Sequence, residues 1–133
     1  GVIGIETKYH EHAARERRPS DDRLRRYREV SERSGAFVGG AVERIIDTPL
    51  QQIWLDPLLV LLMVQHPSGA WRRARFVLVH PAGNTSFGEL AARYRAELDD
   101  ASTFETRTVE ELLDAPGALS PAFVTAFRDR YLP

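Results

Sequence analysis

The sequence contains no cysteine, which excludes disulfide bonds, thiol catalysis and zinc sites built on cysteine. Long apolar runs are also missing, because the longest one, Leu58 to Val64, falls far short of the roughly 20 residues of a membrane-spanning helix. The amino terminus lacks the layout of a signal peptide. These absences favour a cytoplasmic protein without a membrane segment.

Neither sign of charge dominates the chain. The 18 basic and 19 acidic residues leave a formal charge of −1, so no overall positive field indicates a nucleic-acid partner. Lysine is nearly absent, since Lys8 is the only lysine among those 18 basic residues. A lone lysine among arginines either survives by chance or serves a function that needs a compact ammonium group.

The length of 133 residues and the 43% of apolar residues are typical of one globular domain, which we assign to residues 1–133. The chain begins directly in an apolar stretch with no initiator methionine, so we expect it to be truncated and to lack the N-terminal part of its core. Alternation from Ile3 to about His12 predicts a strand whose odd positions face the core and whose even positions are polar.

The rest of the chain alternates between helix and strand patterns. Pro57 lies inside one predicted helix, whose apolar second half should be buried, and it predicts a kink there. The alternation indicates an α/β fold with at least some parallel strand neighbours. We predict helices over about 20–34, 49–65, 86–98, 109–114 and 121–131, and strands over 73–80 and 104–107.

The sharpest chemical pattern is an acidic residue two positions before the only lysine. On a strand, this spacing places Glu6 and Lys8 on the same face, roughly 7 Å apart. A carboxylate there is a ligand for a hard cation such as Mg²⁺, and a neighbouring ammonium orients a water molecule or stabilises charge on a phosphate. A plain salt bridge on a polar strand face has the same spacing, so the pattern alone leaves both interpretations open.

Three stretches resemble the PD-(D/E)XK nuclease superfamily, in particular a bacterial restriction-endonuclease-like group. Gly4-Ile5-Glu6-Thr7-Lys8-Tyr9-His10-Glu11 is similar to the E-x-K strand of that group, whose motif continues as K-Y-x-E. The stretch 51–59 is similar to its helix with a Gln-x-Trp core. The stretch 76–84 resembles its next strand and the turn that ends in Gly-Asn.

The resemblance implies an α/β fold with a restriction-endonuclease-like mixed sheet flanked by helices, and metal-dependent cleavage of DNA with Mg²⁺ or Mn²⁺. Glu6 would bind the cation, the backbone carbonyl of Thr7 would add a ligand, and Lys8 would assist the attacking water. Gln52 is our choice for the helix glutamine that faces the site, although a helix-start residue bonded to the backbone is an equal alternative. The alternative function is a non-catalytic nucleic-acid- or protein-binding domain that retains the nuclease fold.

Two features depart from the family pattern. The superfamily has an acidic residue on the strand before E-x-K, whereas nothing precedes Gly1, and Leu55 and Pro57 stand where the group usually has arginine and histidine. With Glu6 as the only acid on the strand face, we expect the chain by itself to bind Mg²⁺ poorly and to be inactive. A second acid within the chain would have to come from Glu11, Glu43 or Asp56.

Histidines near the strand permit a different metal site. His10 and His12 share the even positions with Glu6, so a zinc or manganese site made of two imidazoles and one carboxylate is an alternative. His66 and His80 each precede a proline and are interpreted as turn residues.

The segment Arg15–Arg33 carries eight arginines against five acids and follows the candidate site directly. Such a segment suits contact with a phosphate backbone. A solvated helix with internal pairs such as Arg25–Glu29 explains the same composition and is slightly favoured. Under the alternative of DNA contact, the arginines that we assign to it are Arg15, Arg17, Arg18 and Arg25.

Overall fold

Three strands form one parallel sheet in the order β1 (Val2–Thr7), β2 (Ala74–His80) and β3 (Phe104–Thr108). The computed structural model describes residues 1–132. Parallel pairing brings the carboxyl ends of the strands to one edge of the sheet, where Thr7 pairs with Val79. The predicted α/β class is confirmed, and both strand pairs of this sheet are parallel rather than mixed.

Helices connect and flank these strands, and the last two of them begin at side-chain caps. Ser20 precedes the first helix, the Thr108 and Glu111 side chains form a capping box, and the Ser120 hydroxyl accepts the backbone N–H of Phe123. No helix within residues 1–132 is long and apolar enough to cross a membrane. The helices are α1 (Asp21–Ser34), α2 (Ala41–Ile45), α3 (Leu50–Val64), α4 (Thr85–Arg95), α5 (Val109–Leu113) and α6 (Pro121–Tyr131).

Helix α3 lies at the centre of the core. Trp54 is fully buried and donates its indole N–H to the Ser31 hydroxyl of α1 at 3.1 Å, while Tyr27 packs edge-on against the indole. Pro57 lies inside the helix. Leu59 and Leu62 are 63% and 51% exposed, so the expectation of a second half buried on all sides is wrong at these two positions.

Strand β1 presents to the core the face opposite to the predicted one. Ile3 and Ile5 are 65% and 68% exposed, so the prediction that the odd positions face the core is wrong. Gly4 explains the inversion, because a Cβ there would lie 2.8 Å from Val60 Cγ1 and 2.9 Å from Phe76 Cδ2. The missing side chain lets α3 pack directly on the even face of β1.

Strand β1 also ends at Thr7 rather than near His12. Beyond it the chain turns, and the carboxylate of Glu11 accepts the backbone N–H groups of Tyr9 and His10. The even-position alternation therefore stops, and His10 and His12 are exposed. Within residues 1–132, no three acidic, histidine or cysteine side chains gather to hold a metal, so the site with two histidines is not formed.

Candidate active site

Glu6 and Lys8 lie at the carboxyl end of β1, on the face that α3 covers. Their side chains are 23% and 16% exposed, and the Lys8 ammonium lies 2.6 Å from Glu6 Oε1. The backbone N–H of Lys8 still donates to the Val79 carbonyl at 2.9 Å, which extends the strand alternation one residue past Thr7. The structure thus brings together the two residues that the E-x-K spacing placed on one face.

Asp56 is the second acid of this site. Its carboxyl lies beside that of Glu6, close enough for the two groups to form a hydrogen bond when a proton is present. The other two candidates are engaged elsewhere, because Glu43 binds Arg28 and Glu11 binds backbone N–H groups of its own turn. Sequence spacing alone offered no signal that separated Asp56 from these two.

The way in which α3 crosses β1 explains the pairing. Val60 packs on Gly4 and Asp56 faces Glu6, so a step of two residues along the strand matches a step of four residues back along the helix. The two steps have similar lengths, about 7 Å and about 6 Å. Gln52 lies one helical turn before Asp56, on the same face of α3.

The two adjacent glutamines of α3 have different surroundings. Gln51 is fully buried, where its amide donates to the Arg17 carbonyl at 3.1 Å and accepts the Asp47 N–H at 3.3 Å. Gln52 is half-buried and accepts the backbone N–H of Ala14 at 3.3 Å. Gln51 therefore holds the backbone of the preceding segments together, and Gln52 is the glutamine on the face of Asp56.

Burial and neighbouring charges set the protonation of the site. Burial and the adjacent Asp56 carboxyl raise the pKa of Glu6 to about 7, although Lys8 opposes this shift. Burial alone would lower the pKa of Lys8, but its bond to Glu6 and the surrounding carboxylates raise it. Lys8 is therefore an ammonium at neutral pH and acts as a positive charge rather than as a base.

The carbonyl of Thr7 points away from β2. In a parallel pair, the N–H and C=O groups of one residue point in the same direction. The N–H groups of Val2 and Lys8 donate to carbonyls of the β2 side, so the backbone groups of the even positions face that strand. The odd positions, including Thr7, direct theirs to the open edge of the sheet, where a carbonyl remains available as a ligand.

The donor atoms suit a hard divalent cation. Glu6 Oε2 is buried and has no hydrogen-bond partner. If both Glu6 and Asp56 are ionised, the single positive charge of Lys8 leaves one net negative charge. Carboxylate and carbonyl oxygens are the ligands that Mg²⁺ and Mn²⁺ prefer.

Two residues that sequence reasoning missed hold the segment after Lys8. The Asn84 amide donates to the Glu11 carbonyl at 2.8 Å, and the Ser86 hydroxyl accepts the Ala13 N–H at 3.3 Å. The Gly-Asn turn after β2 was the available signal, although it indicated only a turn. Together with the hydrogen bond from the Ala14 N–H to Gln52, these contacts hold residues 11–14 in place between α4 and α3.

The four arginines assigned to DNA differ in their surroundings. Within residues 1–132, no ion pair involves Arg17, which is exposed. The backbone of residues 14–17 contacts the first turn of α3, on the Gln52 side of the candidate site. The other three form ion pairs, Arg15 and Arg18 with Asp47, and Arg25 with Asp22 rather than with the expected Glu29.

Among known families, the model of the PD-(D/E)XK nuclease superfamily matches residues 1–133, the whole chain. The chain matches no curated protein and no solved structure. Nucleases of this superfamily generally use divalent metals and act on nucleic acids, which agrees with the oxygen-rich donor set beside Lys8.

Proposed function

Because the chain belongs to the PD-(D/E)XK nuclease superfamily, we propose that it carries the catalytic strand of a Mg²⁺-dependent DNA endonuclease that also accepts Mn²⁺. The observation that supports this function best is the contact of 2.6 Å between Lys8 and Glu6 on a largely buried sheet face, with a second carboxyl beside it. A surface salt bridge needs neither the burial nor the extra acid.

Each residue of the site has its own role in phosphodiester hydrolysis. Glu6 and the Thr7 carbonyl would hold the cation, which would make a water molecule more acidic and offset phosphate charge. Lys8 donates a hydrogen bond to the attacking hydroxide and stabilises the charge that builds up on the phosphate oxygens. Gln52 orients the same water from the helix side. The attacking water loses its proton to bulk solvent. Attack of the hydroxide on phosphorus then forms one P–O bond and breaks the opposite one, and the leaving oxygen takes up a proton from solvent.

Removal of Lys8 tests this function directly. In the protein expressed from its full coding sequence, Lys8→Ala should lower the rate of plasmid nicking at least about a hundredfold, because a positioned charge typically contributes that much. Circular dichroism should show an unchanged fold.

Arg26→Ala is the matched control, since Arg26 is an exposed cation of α1 distant in sequence from the site. It should nick plasmid at the wild-type rate. Full activity of Lys8→Ala would remove the catalytic assignment, and a wild-type protein that binds DNA without cutting it would favour the non-catalytic alternative.

A further inference from the structure

Asp56 faces Glu6 and, in the part of the chain that the structure describes, has no other partner. Within residues 1–132, no other side chain pairs with Asp56 and no other donor binds its carboxylate, while Lys8 bonds only one oxygen of Glu6. Two partly buried carboxyl groups thus share one ammonium. Two adjacent, partly buried carboxylates destabilise the folded state unless a proton or a cation lies between them.

We propose that Asp56 provides the second carboxylate of a divalent-cation site with Glu6, so that the chain holds both acidic ligands on β1 and α3. That the cation serves in hydrolysis rests on the proposed function, whereas its binding by Glu6 and Asp56 does not. The expectation that the chain binds Mg²⁺ poorly counted Glu6 as the only carboxylate ligand. Under this proposal the site has two.

The geometry supports a ligand role over a purely structural one. A structural aspartate in a helix commonly bonds a cap, an arginine or a backbone N–H, and Asp56 lies inside α3 with none of these. Its neighbour along the same helix face, Val60, packs on Gly4, two residues before Glu6 on the strand. Asp56 is therefore directed at the one strand residue whose carboxylate oxygen is buried and unbonded.

Cation binding by the chain of residues 1–133 tests the proposal. Calorimetric titration with Mn²⁺ at pH 8 should show binding to the wild-type chain, and Asp56→Asn should weaken it at least about tenfold, because a hard cation depends on anionic oxygens. Asp129→Asn, which removes the same charge from an exposed position on α6, should bind Mn²⁺ like the wild type.

Thermal unfolding provides a second readout that a structural role would not produce. Without metal at pH 8, Asp56→Asn should melt at or above the wild-type temperature, because repulsion with Glu6 is relieved. Added Mn²⁺ should raise the melting temperature of the wild type and of Asp129→Asn but not of Asp56→Asn. Equal Mn²⁺ affinity in the wild type and Asp56→Asn, or no binding by the wild type, would overturn the inference.

Plasmid nicking separates this inference from the proposed function. Mn²⁺ binding that depends on Asp56 in a protein that never nicks DNA would support the cation site and overturn the nuclease assignment. Metal-dependent nicking with unchanged Mn²⁺ binding in Asp56→Asn would support the nuclease and overturn the role of Asp56.

Discussion

At the scale of single residues, burial and the neighbouring positive charge have opposite effects on the protonation of Glu6. Glu6 lies under α3, and burial favours its neutral form, whereas the contact with Lys8 favours the ionised form. The balance raises the pKa of Glu6 to about 7, so the site takes up or releases a proton close to neutral pH. Lys8 remains an ammonium throughout that range.

The stability of the metal-free chain should fall as pH rises through this interval. The folded-state pKa of Glu6, about 7, exceeds its ordinary value of 4.5, so the folded state binds the proton more tightly than the unfolded state. This contribution is fully present below pH 4.5 and is lost by about pH 7. We expect it to amount to about 1–3 kcal/mol, because each pKa unit corresponds to about 1.4 kcal/mol and partial exposure screens the effect.

Urea unfolding at pH 4.5 and pH 8, compared between the wild type and Glu6→Gln, measures that contribution. Glu6→Gln should lose less stability than the wild type over the same interval, because the amide does not titrate. Identical pH profiles of the two proteins would show that Glu6 titrates normally.

At the scale of secondary-structure elements, the approach of α3 to β1 determines which residues meet. Gly4 lets the helix lie directly on the strand, and the matching steps of helix and strand then bring Asp56 to Glu6. The approach of Asp56 to Glu6 therefore depends on the apolar contact of Val60 with Gly4, two residues earlier on the strand.

Gly4→Ala should destabilise the protein by about 1–3 kcal/mol, because the added methyl overlaps Val60 and Phe76 in a packed core. The displacement of α3 should also weaken Mn²⁺ binding at the Glu6 site. Denaturant unfolding and calorimetry measure the two effects. Gly39→Ala is the control, since a Cβ at Gly39 meets no atom within 4 Å, and it should leave both quantities nearly unchanged.

At the scale of the whole molecule, the two faces of the sheet differ. The face of β1 that bears Glu6 and Lys8 is covered by α3, whereas the opposite face exposes Ile3 and Ile5. The candidate site lies at the carboxyl edge of a parallel sheet, which is where α/β proteins commonly bind ligands.

The same substitution at a core isoleucine of α3 and at an isoleucine on the uncovered face of β1 distinguishes the two sides of the sheet. Ile53→Ala should cost about 2–5 kcal/mol, because Ile53 is 1% exposed within the core. Ile5→Ala should cost less than about 1 kcal/mol, because most of that side chain already contacts water. Denaturant unfolding of both variants of the chain provides the measurement, and similar losses would show that the face of Ile5 is covered in solution.

The sequence by itself determined the features that depend on neighbours along the chain. Helix starts follow from caps such as Thr108 and Ser120, whose hydrogen bonds extend over only a few residues. The shared face of Glu6 and Lys8 follows from strand alternation in the same way. The family match over residues 1–133 agrees with the motifs that the sequence showed.

Tertiary structure alone decided which face of β1 packs on the core, because Gly4 made room for Val60 on the face that hydropathy assigned to water. It also decided that Asp56, rather than Glu11 or Glu43, lies beside Glu6. These outcomes depend on how a helix crosses a strand some fifty residues away along the chain. Local periodicity orders residues within an element, whereas packing between elements selects which residues meet.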